Sequence, residues 1–117
     1  MTSLKTKITT PLVEETQAFY QRVFGMTIVE EWDSPGDRGV ILEFDDGSRE
    51  ALLEIYQGEP NGFDGLSLQF KVSDVDALVE SLDCQPFEGP TDRPWGSRYV
   101  YMSDPNSIAI VVYDGGW

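Results

Sequence analysis

The sequence contains no histidine, a single cysteine, and only 8 lysines and arginines against 21 acids. Without histidine the chain lacks the commonest metal ligand and the commonest general base near neutral pH. Zinc sites built from histidine or several cysteines are excluded, and only an all-oxygen site for a hard cation stays open. Cys84 cannot form an internal disulfide, which fits a reducing compartment. With no histidine to serve as its base, it reads as a small, partly buried side chain rather than a nucleophile. The scarcity of bases gives a net charge of −13, which repels phosphate backbones and anionic lipid. Nucleic acid and membrane are therefore not expected partners. No apolar run is long enough to span a bilayer, and no basic-then-apolar leader follows Met1, so the expected location is the cytoplasm.

What is present points to a packed domain. The 117 residues include 40% apolar and 12% aromatic side chains, enough for one core but not for two independent ones. Leu4 to Thr9 alternates as a half-buried strand does. Thr10-Pro11 then supplies an N-cap and a first-turn proline, and Glu14 and Glu15 favour the helix dipole. Val13, Ala18, Phe19, Val23 and Phe24 form a helical stripe that Gly25 ends. Strands are predicted at Met26 to Trp32, Val40 to Phe44 and Ala51 to Tyr56, with turns at Asp33 to Asp37 and Asp45 to Ser48.

After the linker "QGEPNGFDG" (Gln57 to Gly65) the order repeats. Leu66 to Val72 reads as a strand, and Ser73-Asp74 caps a short helix through Leu82. Further strands are predicted near Gln85 to Phe87, Arg98 to Met102 and Ile108 to Tyr113. The turn "LEFDDGS" in the first half matches "VYMSDPNS" in the second, the mark of an internal duplication. The expected fold is α+β: two βαβββ modules, about 1–57 and 64–117, within one domain of residues 1–117. Their helices would cover one face of a curved, cup-shaped mixed sheet and leave the other to a ligand.

The stretches "QAFYQRVFGMTIVEEW", "LQFKVSDVDALVESL" and "PWGSRYVYMSDPNSIAIVV", set in this duplicated pattern, resemble the vicinal oxygen chelate superfamily. That superfamily includes glyoxalases, ring-cleaving dioxygenases, fosfomycin-modifying enzymes and bleomycin-type antibiotic-binding proteins. The resemblance covers almost the whole chain and is more specific for fold than for reaction. It implies metal ligands on equivalent strands of the two modules. Carried over by spacing, those positions fall at Lys5, Glu54, Ser67 and Val111. Only Glu54 is a plausible ligand, and sliding the frame to Thr6, Lys7, Leu66, Leu68, Ile110 or Val112 recovers none. No metal and no cofactor are expected.

Strand alternation extends the candidate site. Lys5 and Lys7 share a face with Glu54 and Tyr56, while Ser67 and Gln69 share one with Val111 and Tyr113. Matching the two turns adds Glu43, Tyr99 and Tyr101. Aromatic rings mixed with a few polar groups are the usual make-up of a small-molecule site. Trp95 in "RPWGSR" reads as a ligand-facing indole at the rim. Trp32 either stacks on a ligand or covers the core edge, and Trp117 reads as a tail. Lys5 and Lys7 can alternatively be edge-strand charges, and Glu43 and Glu54 can be solvated or paired with Lys5, Lys7 or Lys71. "FDDGSRE" lacks the alternating oxygens of a calcium loop and reads as a hairpin turn.

The leading expectation is a metal-free binding protein that sequesters an aromatic or antibiotic-like small molecule, as bleomycin-type resistance proteins do. The alternative is a lyase or isomerase with Glu54 or Glu43 as base and a lysine or tyrosine as acid. A true metal enzyme and an interaction module without a small ligand rank below these. By family analogy the assembly is a homodimer.

Overall fold

The computed structural model describes residues 2–116; Trp117, read above as a tail, lies outside the described residues. The chain divides into two compact units, one ending at Gly62 and the other starting at Phe63. Each is a βαβββ module built on a mixed four-stranded sheet, which makes the fold α+β.

In the first unit, β1 (Leu4–Thr10), α1 (Val13–Phe24), β2 (Thr27–Ser34), β3 (Asp37–Glu43) and β4 (Ala51–Gln57) give the sheet order β1-β4-β3-β2. β1 runs parallel to β4 and the other pairs are antiparallel, with Lys7 opposite Glu54 and Thr9 opposite Tyr56. One sheet face carries Ile8, Val40, Leu42, Leu53 and Ile55, all buried with the α1 stripe of Val13, Phe19, Tyr20 and Val23. Gly25 closes α1 in the left-handed region at φ 65°, its N–H reaching the carbonyls of Gln21 and Tyr20.

The start of α1 differs from the expectation. The parallel ladder runs on to Thr10, opposite Gln57, and keeps that residue extended. Leu12 occupies the cap position with no side-chain bond, and the Thr10 hydroxyl instead accepts the Leu12 N–H at 2.9 Å.

The second unit repeats the order with β5 (Ser67–Lys71), α2 (Val75–Ser81), β6 (Glu88–Asp92), β7 (Ser97–Ser103) and β8 (Ala109–Gly115), arranged β5-β8-β7-β6. Asp74 caps α2 by accepting the N–H groups of Asp76 and Ala77, and Asp114 on β8 accepts that of Val75 at 2.8 Å. The core face holds Val75, Val100, Met102, Ile108, Ile110 and Val112. Between β7 and β8, Asp104 accepts the N–H groups of Asn106 and Ile108, which fixes the "DPNS" turn.

Two expectations need correction here. The strand expected at Gln85 to Phe87 lies instead at Glu88–Asp92, paired with β7 through an irregularity between Glu88 and Thr91. Gly89 and Pro90 disguise it in the sequence, yet an edge strand with a bulge tolerates both. Cys84 is exposed rather than partly buried, in a turn at φ 61°. No helix among the described residues is long and apolar enough to cross a membrane.

Candidate functional site

Each sheet has a second face away from its helix, and the residues singled out in the sequence lie there. In the first unit the pairing of Lys7 with Glu54 across β1 and β4 sets the centre of that face. Lys5 Nζ stands 2.9 Å from Glu54 Oε1, and Lys7 Nζ stands 3.8 Å from Glu54 Oε2. The Glu54 side chain is only 10% exposed, whereas the two lysines are about half exposed at 48% and 51%. A largely buried carboxylate is thus compensated by two ammonium groups that keep much of their water. Lys7 also lies over the Tyr56 ring, 4.4 Å from its centroid.

Beside this cluster the face is closed by contacts within the hairpin. Trp32 donates its indole N–H to Asp37 at 2.9 Å, and its ring fills the space above Gly39, the residue between Trp32 and Tyr56 in register. The hydrogen bond and negative charge of Asp37 hold the Tyr56 phenol above its ordinary value. Of the two readings of Trp32, this geometry matches the one in which the indole covers the sheet. Glu43, at the end of β3, is bound by Arg49 at 2.8 Å.

In the second unit the equivalent face is aromatic. Tyr99 sits among Tyr113, Trp95 and Tyr101, with centroid distances of 5.4, 5.7 and 5.9 Å. The register explains the grouping: Tyr99 lies opposite Tyr113, and Tyr101 opposite Val111. Val111 is 7% exposed and stands opposite Gln69, so an apolar wall occupies the place matched by Glu54 in the first unit. Ser67 is paired with Ala109, four residues along the strand from the Lys71–Tyr113 pair and roughly 13 Å away at strand spacing. It is two residues along β5 from Gln69, whose partner Val111 stands opposite Tyr101.

Three side chains missed in the sequence belong to these faces: Asp37, Arg49 and Arg93. Arg93 stacks on Trp95 with its guanidinium 4.8 Å from the ring centroid. Asp37 and Arg49 sit in or beside turns, where strand alternation says nothing. The "DRPWG" stretch around Arg93 gave a clue only to its tryptophan.

Two open hollows lie elsewhere. One of about 580 Å³ follows the β2–β3 turn from Asp33 to Arg38 with Gln57, and one of about 570 Å³ is lined by Gln85 to Glu88 and Tyr101 to Ser103. Among the expected site residues only Tyr101 borders either hollow. The convergent polar and aromatic groups are on the sheet faces instead.

Two βαβββ modules in tandem, each with a mixed four-stranded sheet, define the class of fold. The sequence matches the Glyoxalase/Bleomycin resistance protein/Dioxygenase superfamily over residues 4–112, and the chain belongs to that family. No curated protein matches it in sequence. Among solved structures it is similar to TnmS3, an antibiotic binding protein from Streptomyces sp. CB03234, with 22% identity, 97% of each chain covered and a TM-score of 0.75. It is also similar to a lactoylglutathione lyase from Agrobacterium tumefaciens, at 21% identity, 96% and 92% coverage and a TM-score of 0.72. A mutant of the fosfomycin resistance protein FosX from Listeria monocytogenes, complexed with Mn(II) and a dihydroxypropylphosphonic acid, gives 13% identity, 97% and 91% coverage and a TM-score of 0.78. At these identities the likeness concerns the fold.

A metal ion such as the Mn(II) of that FosX mutant is poorly matched by the residues here. Among the described residues no three histidine, cysteine or acidic side chains gather as a ligand set. Glu54, the one carboxylate at a carried-over ligand position, already faces two ammonium groups, which repel a cation.

Proposed function

We propose that this chain is a small-molecule-binding protein that works without a metal and takes an aromatic ligand on its open sheet faces. The observation that carries the reading is the group of Tyr99, Tyr101, Tyr113 and Trp95 around one face, with Trp95 45% exposed. Aromatic side chains standing open to solvent on a rigid sheet offer stacking surface at little entropic cost. The likeness to TnmS3, an antibiotic binding protein, supports a binding role, and sequestration of an aromatic or antibiotic-like molecule is the role we assign. The protein would act in the cytoplasm as a homodimer.

The lyase or isomerase reading relies on Glu54 or Glu43 as a base. Lys5 and Lys7 at Glu54, and Arg49 at Glu43, already occupy the carboxylate oxygens that a substrate proton would have to reach. The geometry therefore favours binding over turnover. A thermal-shift panel of aromatic and non-aromatic small molecules, run with and without EDTA, tests the proposal. Stabilisation by aromatic members and indifference to EDTA are expected. Divalent metal copurifying near one per chain, with melting lowered by EDTA, would overturn it.

A further inference from the structure

We infer that the ligand of the aromatic face is a planar aromatic acid, with its carboxylate bound by Arg93. This rests on the aromatic-ligand reading above and adds to it a charge and a docking residue.

Arg93 follows β6 directly, where the strand turns into Pro94-Trp95-Gly96, and its own N–H and C=O bond to Ser97 and Gly96. Those two bonds fix the base of the side chain. Thr91, two residues earlier, lies opposite Tyr99, so alternation turns Arg93 to the tyrosine face. The guanidinium stacks on Trp95, which in turn meets Tyr99 edge-on.

Among the described residues its charge has no protein counterpart. Arg93 Nε is buried without a hydrogen-bond partner, and among the described residues no carboxylate comes within ion-pair distance of the guanidinium. In a chain with 21 acids and 8 bases an unpaired arginine needs a reason. The nearest acid in sequence, Asp92, points to the helix face and is held by Arg98 at 2.9 Å, and Arg98 also binds Asp76. Strand alternation thus gives both nearby carboxylates to Arg98 and leaves Arg93 to the open face.

A guanidinium stacked on an indole keeps its outer N–H groups in plane and free to grip a carboxylate in two-point fashion. The tyrosine rings beside it supply the surface for a flat ring system. The pattern selects a molecule with a planar ring and an anionic group at its edge, and it discriminates against cations.

The test measures binding of naphthalene-carboxylate and its neutral carboxamide by tryptophan fluorescence and thermal shift. The wild type is expected to bind the acid at least about tenfold more tightly than the amide, the worth of a hydrogen-bonded charge. Arg93→Gln is expected to erase that preference, bringing the acid down to the level of the amide, whereas Tyr99→Leu weakens both and keeps the preference. Equal binding of acid and amide by the wild type would overturn the inference and leave the aromatic reading standing. That comparison needs no variant, so it decides even if Arg93→Gln fails to fold. Failure of the wild type to bind either probe would remove the aromatic reading and the inference together.

Discussion

The Glu54 cluster allows a prediction whose sign, not only its size, depends on the structure. At 2.9 Å the attraction between Lys5 and Glu54 is about 1.4 kcal/mol in a water-like medium and about 6 kcal/mol at an effective dielectric of 20. The lysines are half exposed, which moves the pair towards the lower figure, and burying Glu54 offsets part of what remains. A net coupling of about 1 to 1.5 kcal/mol follows for Lys5, with less for Lys7 at its longer distance of 3.8 Å. Glu54→Gln in the wild type should therefore cost about 1 to 2 kcal/mol, since the amide loses both attractions while the lysines return to water.

Removing the lysines reverses the arithmetic. Lys5→Met with Lys7→Met leaves a nine-tenths buried carboxylate with no compensating charge, a loss of about 3 kcal/mol. In that background Glu54→Gln relieves an uncompensated charge and should return about 1 to 2 kcal/mol. The same substitution is thus destabilising in one background and stabilising in the other. Urea unfolding followed by far-UV circular dichroism on the four proteins measures both steps. An equal effect of Glu54→Gln in the two backgrounds would show that the lysines do not compensate Glu54 and would refute the reasoning.

Other consequences can be checked singly. A Cβ on Gly39 would lie 2.5 Å from a Trp32 ring carbon and 3.0 Å from the Ile55 carbonyl oxygen, so Gly39→Ala should displace the indole from Asp37. A cost of about 1 to 3 kcal/mol in urea and a changed tryptophan emission are expected. Because Asp37 raises the Tyr56 phenol, folded Tyr56 keeps its proton where the unfolded chain releases it. Its contribution is complete below about pH 10 and is lost as pH rises further, so Tyr56→Phe should flatten the fall in stability above that point. Asp74→Ala removes the acceptor for two N–H groups at the start of α2 and should cost about 1 kcal/mol by urea unfolding.

The sequence made the periodic parts of the molecule readable and the exceptions to the period opaque. Strand alternation placed Lys7 and Glu54 on one face because β1 and β4 are regular throughout. It failed at β6, whose Gly89 and Pro90 break the composition expected of a strand although β7 still pairs with it. It failed again at Thr10, where cap chemistry and continued strand pairing compete for one residue and the parallel ladder wins. The sequence left the partner of Glu54 open among Lys5, Lys7 and Lys71. The choice of Lys5 and Lys7 over Lys71 came only with the fold, because it depends on which strands are neighbours. Arg93 was invisible for a different reason: whether an arginine is paired depends on where every nearby acid points.

The duplication lets the two faces be compared position by position, because each module pairs its strands alike. Glu54 opposite Lys7 in the first corresponds to Val111 opposite Gln69 in the second, and Ile41 opposite Glu54 corresponds to Tyr101 opposite Val111. Where the first module pairs its charges with one another, the second exposes rings and an arginine with no acid beside it among the described residues, while Lys71 and Glu88 stand in register with Tyr113 and Tyr101. Self-neutralised charges add little selectivity for a ligand, since any new partner must first displace the old one and recover the same hydrogen bonds. An unpartnered guanidinium carries no such penalty. Selection by ligand charge should therefore come from the second module, and Arg93→Gln should alter ligand preference far more than any change at Lys5, Lys7 or Glu54. Parallel acid and amide titrations of Arg93→Gln and Glu54→Gln check this, and a preference that followed Glu54 rather than Arg93 would reverse the assignment.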